Sequence, residues 1–181
     1  MNTDQDNRIR LIRDVEANMV PSGDKVTLVA GNLVQITQSL GGNYTIVING
    51  NMAQISAENA DALGFEIEKS DIDKSTNQFS EQLVWDQLKT CYDPEIPVNV
   101  VDLGLIYSCK ITESKDGGSN VDVKMTLTAP GCGMGDMIAS EVKQKIEGVP
   151  GSNEVTVELV WDPPWDREMI NEAARLQLGM L

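Results

Sequence analysis

One cysteine stands where a thiolate would be stabilised. Cys132 lies in Thr128-Ala129-Pro130-Gly131-Cys132-Gly133-Met134-Gly135, between a stretch that alternates apolar and polar residues and one with helical spacing. A cysteine just before a helix meets unpaired amides and the positive end of the helix dipole, and both favour the anion. The flanking glycines let the backbone approach a bound group closely and aim N–H donors at it. A sulfide-rich metal cluster is such a group, and thiolate is its usual protein ligand. The same residues also describe a glycine turn around an inert thiol, since free cysteines are often buried. Spacing alone leaves both readings open.

Asp93-Pro94-Glu95-Ile96-Pro97 is the second candidate. Two prolines fix the backbone, so the Asp93 and Glu95 carboxylates sit in a defined loop, able to ligate iron or tune proton transfer near a thiol. The plainer reading is that Asp93 caps a turn and Glu95 is solvated. Cys91, two residues earlier, is a secondary ligand candidate. Cys109 shares a strand face with Leu105, Tyr107 and Ile111, which points to packing. No two cysteines have C-x-x-C spacing, which argues against a closed zinc site within one chain. Trp161-Asp162-Pro163-Pro164-Trp165 is a stiff aromatic corner that either walls the pocket around Cys132 or covers the edge of the core. Met134, Met137, Met169 and Met180 read as packing residues. The chain has no histidine, which removes Ser–His and Cys–His nucleophilic sites, His-ligated zinc and the usual general base near neutral pH.

The elements that must position these residues fall into two segments. Residues 12–65 read as a small β-rich unit, a barrel or sandwich, with strands at Lys25–Val29, Leu33–Thr37, Tyr44–Ile48 and Met52–Ile55. Asn49-Gly50 is a hairpin signal, and Ala57–Leu63 predicts one short helix ended by Gly64. Glu66–Asn77 is polar without a period and reads as a linker. From residue 78 onward the signals alternate. A helix around Leu83, Val84 and Leu88 precedes a strand from Leu105 to Ile111. A second strand carries Val121, Val123, Met125 and Leu127, and a helix carries Ile138, Val142 and Ile146. A third strand with Val155, Val157 and Leu159 precedes a last helix, Glu168–Leu178. The order α-β-β-α-β-α predicts an α/β (α+β) domain with a small three-stranded mixed sheet, its strand–helix–strand part a parallel crossover. The domains expected are thus 1–65, a linker at 66–77, and 78–181.

Bulk properties narrow the class. With 41% hydrophobic and 23% charged residues among 181, the chain supports packed cores. Its formal charge of −14 repels nucleic-acid phosphate and anionic lipid, so neither is an expected partner. The first twenty residues carry charges throughout and predict no secretory leader, and no stretch has the apolar length of a membrane span. Three widely spaced cysteines suit a reducing cytoplasm.

Three blocks resemble one family: Asp93–Tyr107 (DPEIPVNVVDLGLIY), Met125–Met137 (MTLTAPGCGMGDM) and Val157–Trp165 (VELVWDPPW). They are similar to signature blocks of a domain shared by SufT proteins, cytosolic iron–sulfur targeting factors and the PaaD proteins. Val20–Ile46 is similar to the extra amino-terminal region of SufT proteins. PaaD proteins usually add a cysteine-rich tail, which the last residues here lack, and there is no GxxxxGK[ST] loop of the fused ATPase form. The resemblance implies an auxiliary, non-enzymatic role in maturing iron–sulfur proteins, through transient binding of cluster or iron and docking to apo-recipients and the assembly machinery. The family's site carries over to Asp93, Glu95, Thr128 and Cys132. Many relatives have a second threonine where this chain has Ala129 and a proline where it has Gly133. One thiolate per chain leaves iron sites unfilled, so a homo-oligomer or a partner must supply further ligands. Two rivals remain: an adaptor that never touches metal, and a sulfur-transfer enzyme with Cys132 as nucleophile.

Overall fold

The computed structural model describes residues 7–67, 79–115, 117–129 and 133–180. They divide into two compact units: residues 7–67 with Pro94–Pro97 form one, and 79–93 with 98–180 form the other. The predicted linker, Glu66–Asn77, falls mostly on residues 68–78, outside the described residues.

The first unit holds six strands: β1 (Arg8–Arg10), β2 (Val15–Val20), β3 (Lys25–Leu28), β4 (Leu33–Leu40), β5 (Asn43–Ile48) and β6 (Asn51–Ile55). They make one antiparallel sheet in the order β1-β4-β5-β6-β2-β3. This corrects the barrel or sandwich, because β1 and β3 are edges that do not pair with each other. Two strands were not expected. β1 is short and arginine-rich, and β2 (VEANMV) turns Glu16 and Asn18 outward between its apolar residues, so neither presents a β-branched run. Asn49 and Gly50 take positive φ of 51° and 80°, the two-residue turn that matches strand twist, and they set Ile48 opposite Asn51. Ala57–Leu63 is a 3₁₀ helix closed by Gly64 in the left-handed region. Val15, Val34, Ile46, Ile55 and Leu63 centre the core.

The second unit is mixed α and β: α1 (Glu81–Leu88), β7 (Ile106–Glu113), β8 (Ser119–Met125), α2 (Gly135–Glu147), β9 (Ser152–Leu159) and α3 (Glu172–Gln177). β8 is central, antiparallel to β7 and parallel to β9. Its alternation is complete: Val121, Val123 and Met125 are buried while Asp122 and Lys124 are exposed. The stripe Ile138, Val142 and Ile146 is the buried face of α2, and Val84 and Leu88 that of α1. The last helix is shorter than Glu168–Leu178. Asp166 caps a separate 3₁₀ turn at Arg167–Met169, Ile170 is extended, and Asn171 caps α3 anew through a 2.7 Å bond from the Ala174 amide. Among the described residues no helix is long and apolar enough to cross a membrane.

Candidate functional site

β8 ends at Met125, and the chain reaches α2 through residues 126–134. Thr126 and Leu127 are buried and Thr128 is half-buried. Pro130, Gly131 and Cys132 lie outside the described residues, so the leading candidate is bracketed by Ala129 and Gly133, both exposed. Met134 is fully buried and forms the N-cap of α2, in agreement with a packing role. Gly135 opens the helix in close contact with two leucine side chains. A Cβ there would stand 2.6 Å from Leu127 Cδ1 and 3.4 Å from Leu159 Cδ1. The first turn of α2 therefore packs against Leu127, just past the end of β8, and Leu159 at the end of β9.

A chain of backbone bonds joins the acidic loop to the same place. Val100 N donates to Cys91 O at 2.9 Å, Leu105 N to Val100 O at 3.0 Å, and Thr126 N to Leu105 O at 2.8 Å. Asp93, 94% buried, follows the first link by two residues, with its amide donating to Val98 O at 3.3 Å, beside the isolated bridge Tyr92–Asn99. Glu95 is exposed, and it groups with the first unit whereas Asp93 groups with the second. The structure thus ties the Asp93 loop to Thr126, two residues before Thr128. Among the described residues no three acidic or cysteine side chains are grouped to hold a metal ion.

The other candidates have different surroundings. Cys91 is fully buried, its thiol 3.7 Å from the Gln87 carbonyl oxygen. Burial first, and then the nearby Glu141 carboxylate, push its pKa up to about 12 against a partial offset from Lys145. A thiol held protonated inside the core behaves as a packing group. Cys109, half-buried on β7 opposite Val123, also has its pKa raised, by burial and then by Glu81. Trp165 Nε1 donates to Leu103 O at 2.8 Å, and Tyr107 Oη donates to Pro163 O at 2.8 Å. The aromatic corner therefore holds the loop before β7 at one end, while Trp161 remains 45% exposed.

Sequence reading missed the residues that fix this loop. Asn99 Oδ1 accepts from the amides of Val101 and Asp102, and the Asp102 carboxylate accepts 2.6 Å bonds from Asn99 and Asn171. Asn three residues before Asp is the signal of such a turn. Gly104, at φ +72°, lets the loop pass against Met169: a Cβ would overlap the Met169 carbonyl oxygen and lie 2.9 Å from its carbon. Lys145 of α2 donates at 2.8 Å to the Thr90 carbonyl and at 2.9 Å to its hydroxyl, tying α2 to the end of α1.

Residues 81–159, from α1 to the end of β9, match the family model described as "Iron-sulfur cluster assembly protein". An "Fe-S protein maturation auxiliary factor" of Porphyromonas gingivalis is 46% identical over 107 residues, 58% of this chain and 98% of that protein. The chain belongs to this iron–sulfur cluster assembly family. The "Fe-S protein maturation auxiliary factor SufT" of Staphylococcus aureus is 39% identical over 88 residues, 49% of this chain and 96% of that one. A crystal structure of a domain of unknown function from Bacillus anthracis is 36% identical, covers 56% of this chain and 92% of its own, and has a TM-score of 0.48. The family match falls wholly within the second unit, and the six-stranded sheet lies outside it.

Proposed function

We propose that this protein is an auxiliary factor in iron–sulfur protein maturation that holds a cluster or iron as cargo and passes it to apo-recipients, without turnover chemistry of its own. The observation that carries the reading is the backbone chain from Cys91 through Val100 and Leu105 to Thr126, which tethers the Asp93 loop to the strand end leading into Cys132. In this reading Cys132 supplies the thiolate, favoured by the α2 amino terminus. Asp93, Glu95 and Thr128 supply oxygen ligands or hydrogen bonds to the cargo. One thiolate per chain binds incompletely, so a second copy or the partner contributes the rest, and incomplete ligation suits release. The partners are apo iron–sulfur proteins and the assembly machinery, in a reducing cytoplasm that keeps the thiol free.

The test is anaerobic reconstitution with iron and sulfide, comparing wild type with Cys132→Ser. Iron and sulfide per chain, and transfer to an apo-recipient, are the readouts. The carrier reading requires a transferable cluster in the wild type and its loss in the variant. Absence of cluster in both, with recipient maturation still dependent on the protein, would replace it with a metal-free adaptor. A persulfide accumulating on Cys132 with a sulfur donor would replace it with sulfur transfer.

A further inference from the structure

β1 is an edge strand whose outer side is chemically specific. Asn7 O accepts from Ile36 N at 3.1 Å and Leu11 N donates to Asn32 O at 3.0 Å, so residues 7 and 11 bond towards β4. Antiparallel pairs alternate in this respect. Arg8 and Arg10, opposite Gln35 and Leu33, therefore aim their main-chain N–H and C=O at the side where no described strand pairs. Both side chains leave the same exposed face. Arg10 Nη1 donates to the Gly31 carbonyl at 3.1 Å, and among the described residues neither guanidinium is paired with a carboxylate. Arg8 and Arg10 stand in a six-residue stretch, 8–13, that holds no acid, on a protein of charge −14, while the third arginine there, Arg13, is already engaged by the Asp61 carboxylate.

Three apolar side chains extend this edge. Ile12 is 66% exposed, Val29 56% and Leu33 45%. Their chain segments are tied together, since Gly31 N donates to Leu11 O at 2.7 Å and Asn32 N to Val29 O at 3.1 Å. Charged residues commonly guard a sheet edge against random pairing. That accounts for the arginines but not for three exposed apolar groups on segments tied to this edge.

We propose that the β1 edge is a strand-addition site for an extended acidic segment of a partner polypeptide. The segment would pair with the main chain of Arg8 and Arg10, set carboxylates against their guanidinium groups, and cover Ile12, Val29 and Leu33 with an apolar side chain. A second copy of β1 is the wrong occupant: antiparallel self-pairing would oppose arginine to arginine.

The test uses the full chain and a fluorescent ten-residue peptide in which glutamate, glutamate and valine take alternate positions with threonines between. A control peptide carries lysine for glutamate. Wild type binds the acidic peptide and not the control, and the Arg8 and Arg10 amides gain protection from hydrogen exchange. The double variant Arg8→Glu, Arg10→Glu loses affinity by roughly tenfold or more and gains binding to the lysine peptide. Arg10→Pro removes an outward N–H that β4 does not use, and with it the binding, while the far-ultraviolet spectrum stays native. Equal binding of both peptides, affinity unchanged in the variants, or a dimer that Arg10→Pro dissolves would each overturn the proposal.

Discussion

Gly104→Ala is a direct probe of the loop that carries the acidic candidates. The substitution places a side chain at φ +72°, which costs about 1–2 kcal/mol for a residue other than glycine. It also drives a methyl into the Met169 carbonyl, a backbone group that cannot turn aside, at a cost on the order of 1–3 kcal/mol. Together the second unit should lose roughly 2–5 kcal/mol, which lowers a urea midpoint by at least about 1 M. All three tryptophans, Trp85, Trp161 and Trp165, lie in this unit, so fluorescence follows its unfolding alone. The control is Gly179→Ala, at φ +70° with nothing within 4 Å of the new methyl, which carries only the backbone cost. The difference between the two variants isolates the steric overlap. If Gly104→Ala falls no further than Gly179→Ala, the close passage against Met169 is wrong. Because Leu105 is the middle link between Val100 and Thr126, cluster binding in Gly104→Ala should weaken at temperatures where the unit is still folded.

Three further outcomes are expected. Cys91, its pKa raised from 9.0 to about 12, should alkylate about a thousandfold more slowly in the native protein at pH 8 than in urea, as measured by mass spectrometry. The folded state holds the Cys91 proton more tightly, so its contribution is complete below pH 9 and declines as pH rises towards 12. Urea midpoints against pH should show that decline in wild type and not in Cys91→Ala. Lys145→Met leaves the Thr90 carbonyl and Glu141 without their shared cation and should cost about 1–3 kcal/mol by urea denaturation, whereas a loss below about 0.5 kcal/mol would mean that water replaces the ammonium.

The amino-acid sequence determined a good deal here, because much of its information is local. Period-two alternation from Val121 to Met125 and the stripe Ile138, Val142 and Ile146 fixed a strand and a helix, since burial of one face is written into spacing. Asn49-Gly50 fixed a turn and its register through backbone conformation alone. The three blocks carry the resemblance to the family to which the chain belongs, because such motifs are local in sequence. Tertiary structure decided what depends on residues distant in the chain. β1 and β2 exist because β4 and β6 offer them partners, not because their own residues favour strands. Cys91 and Cys109 differ little as letters, yet only packing shows that Cys91 is sealed beside Glu141 and held as a thiol. The loop from Asp93 to Leu105 is held by Trp165, Asn171 and Thr126, which lie 21 or more positions beyond it in the chain. Hydrogen bonds of that span leave no periodic trace in sequence, which is why the candidate residues could be named from the chain and their support could not.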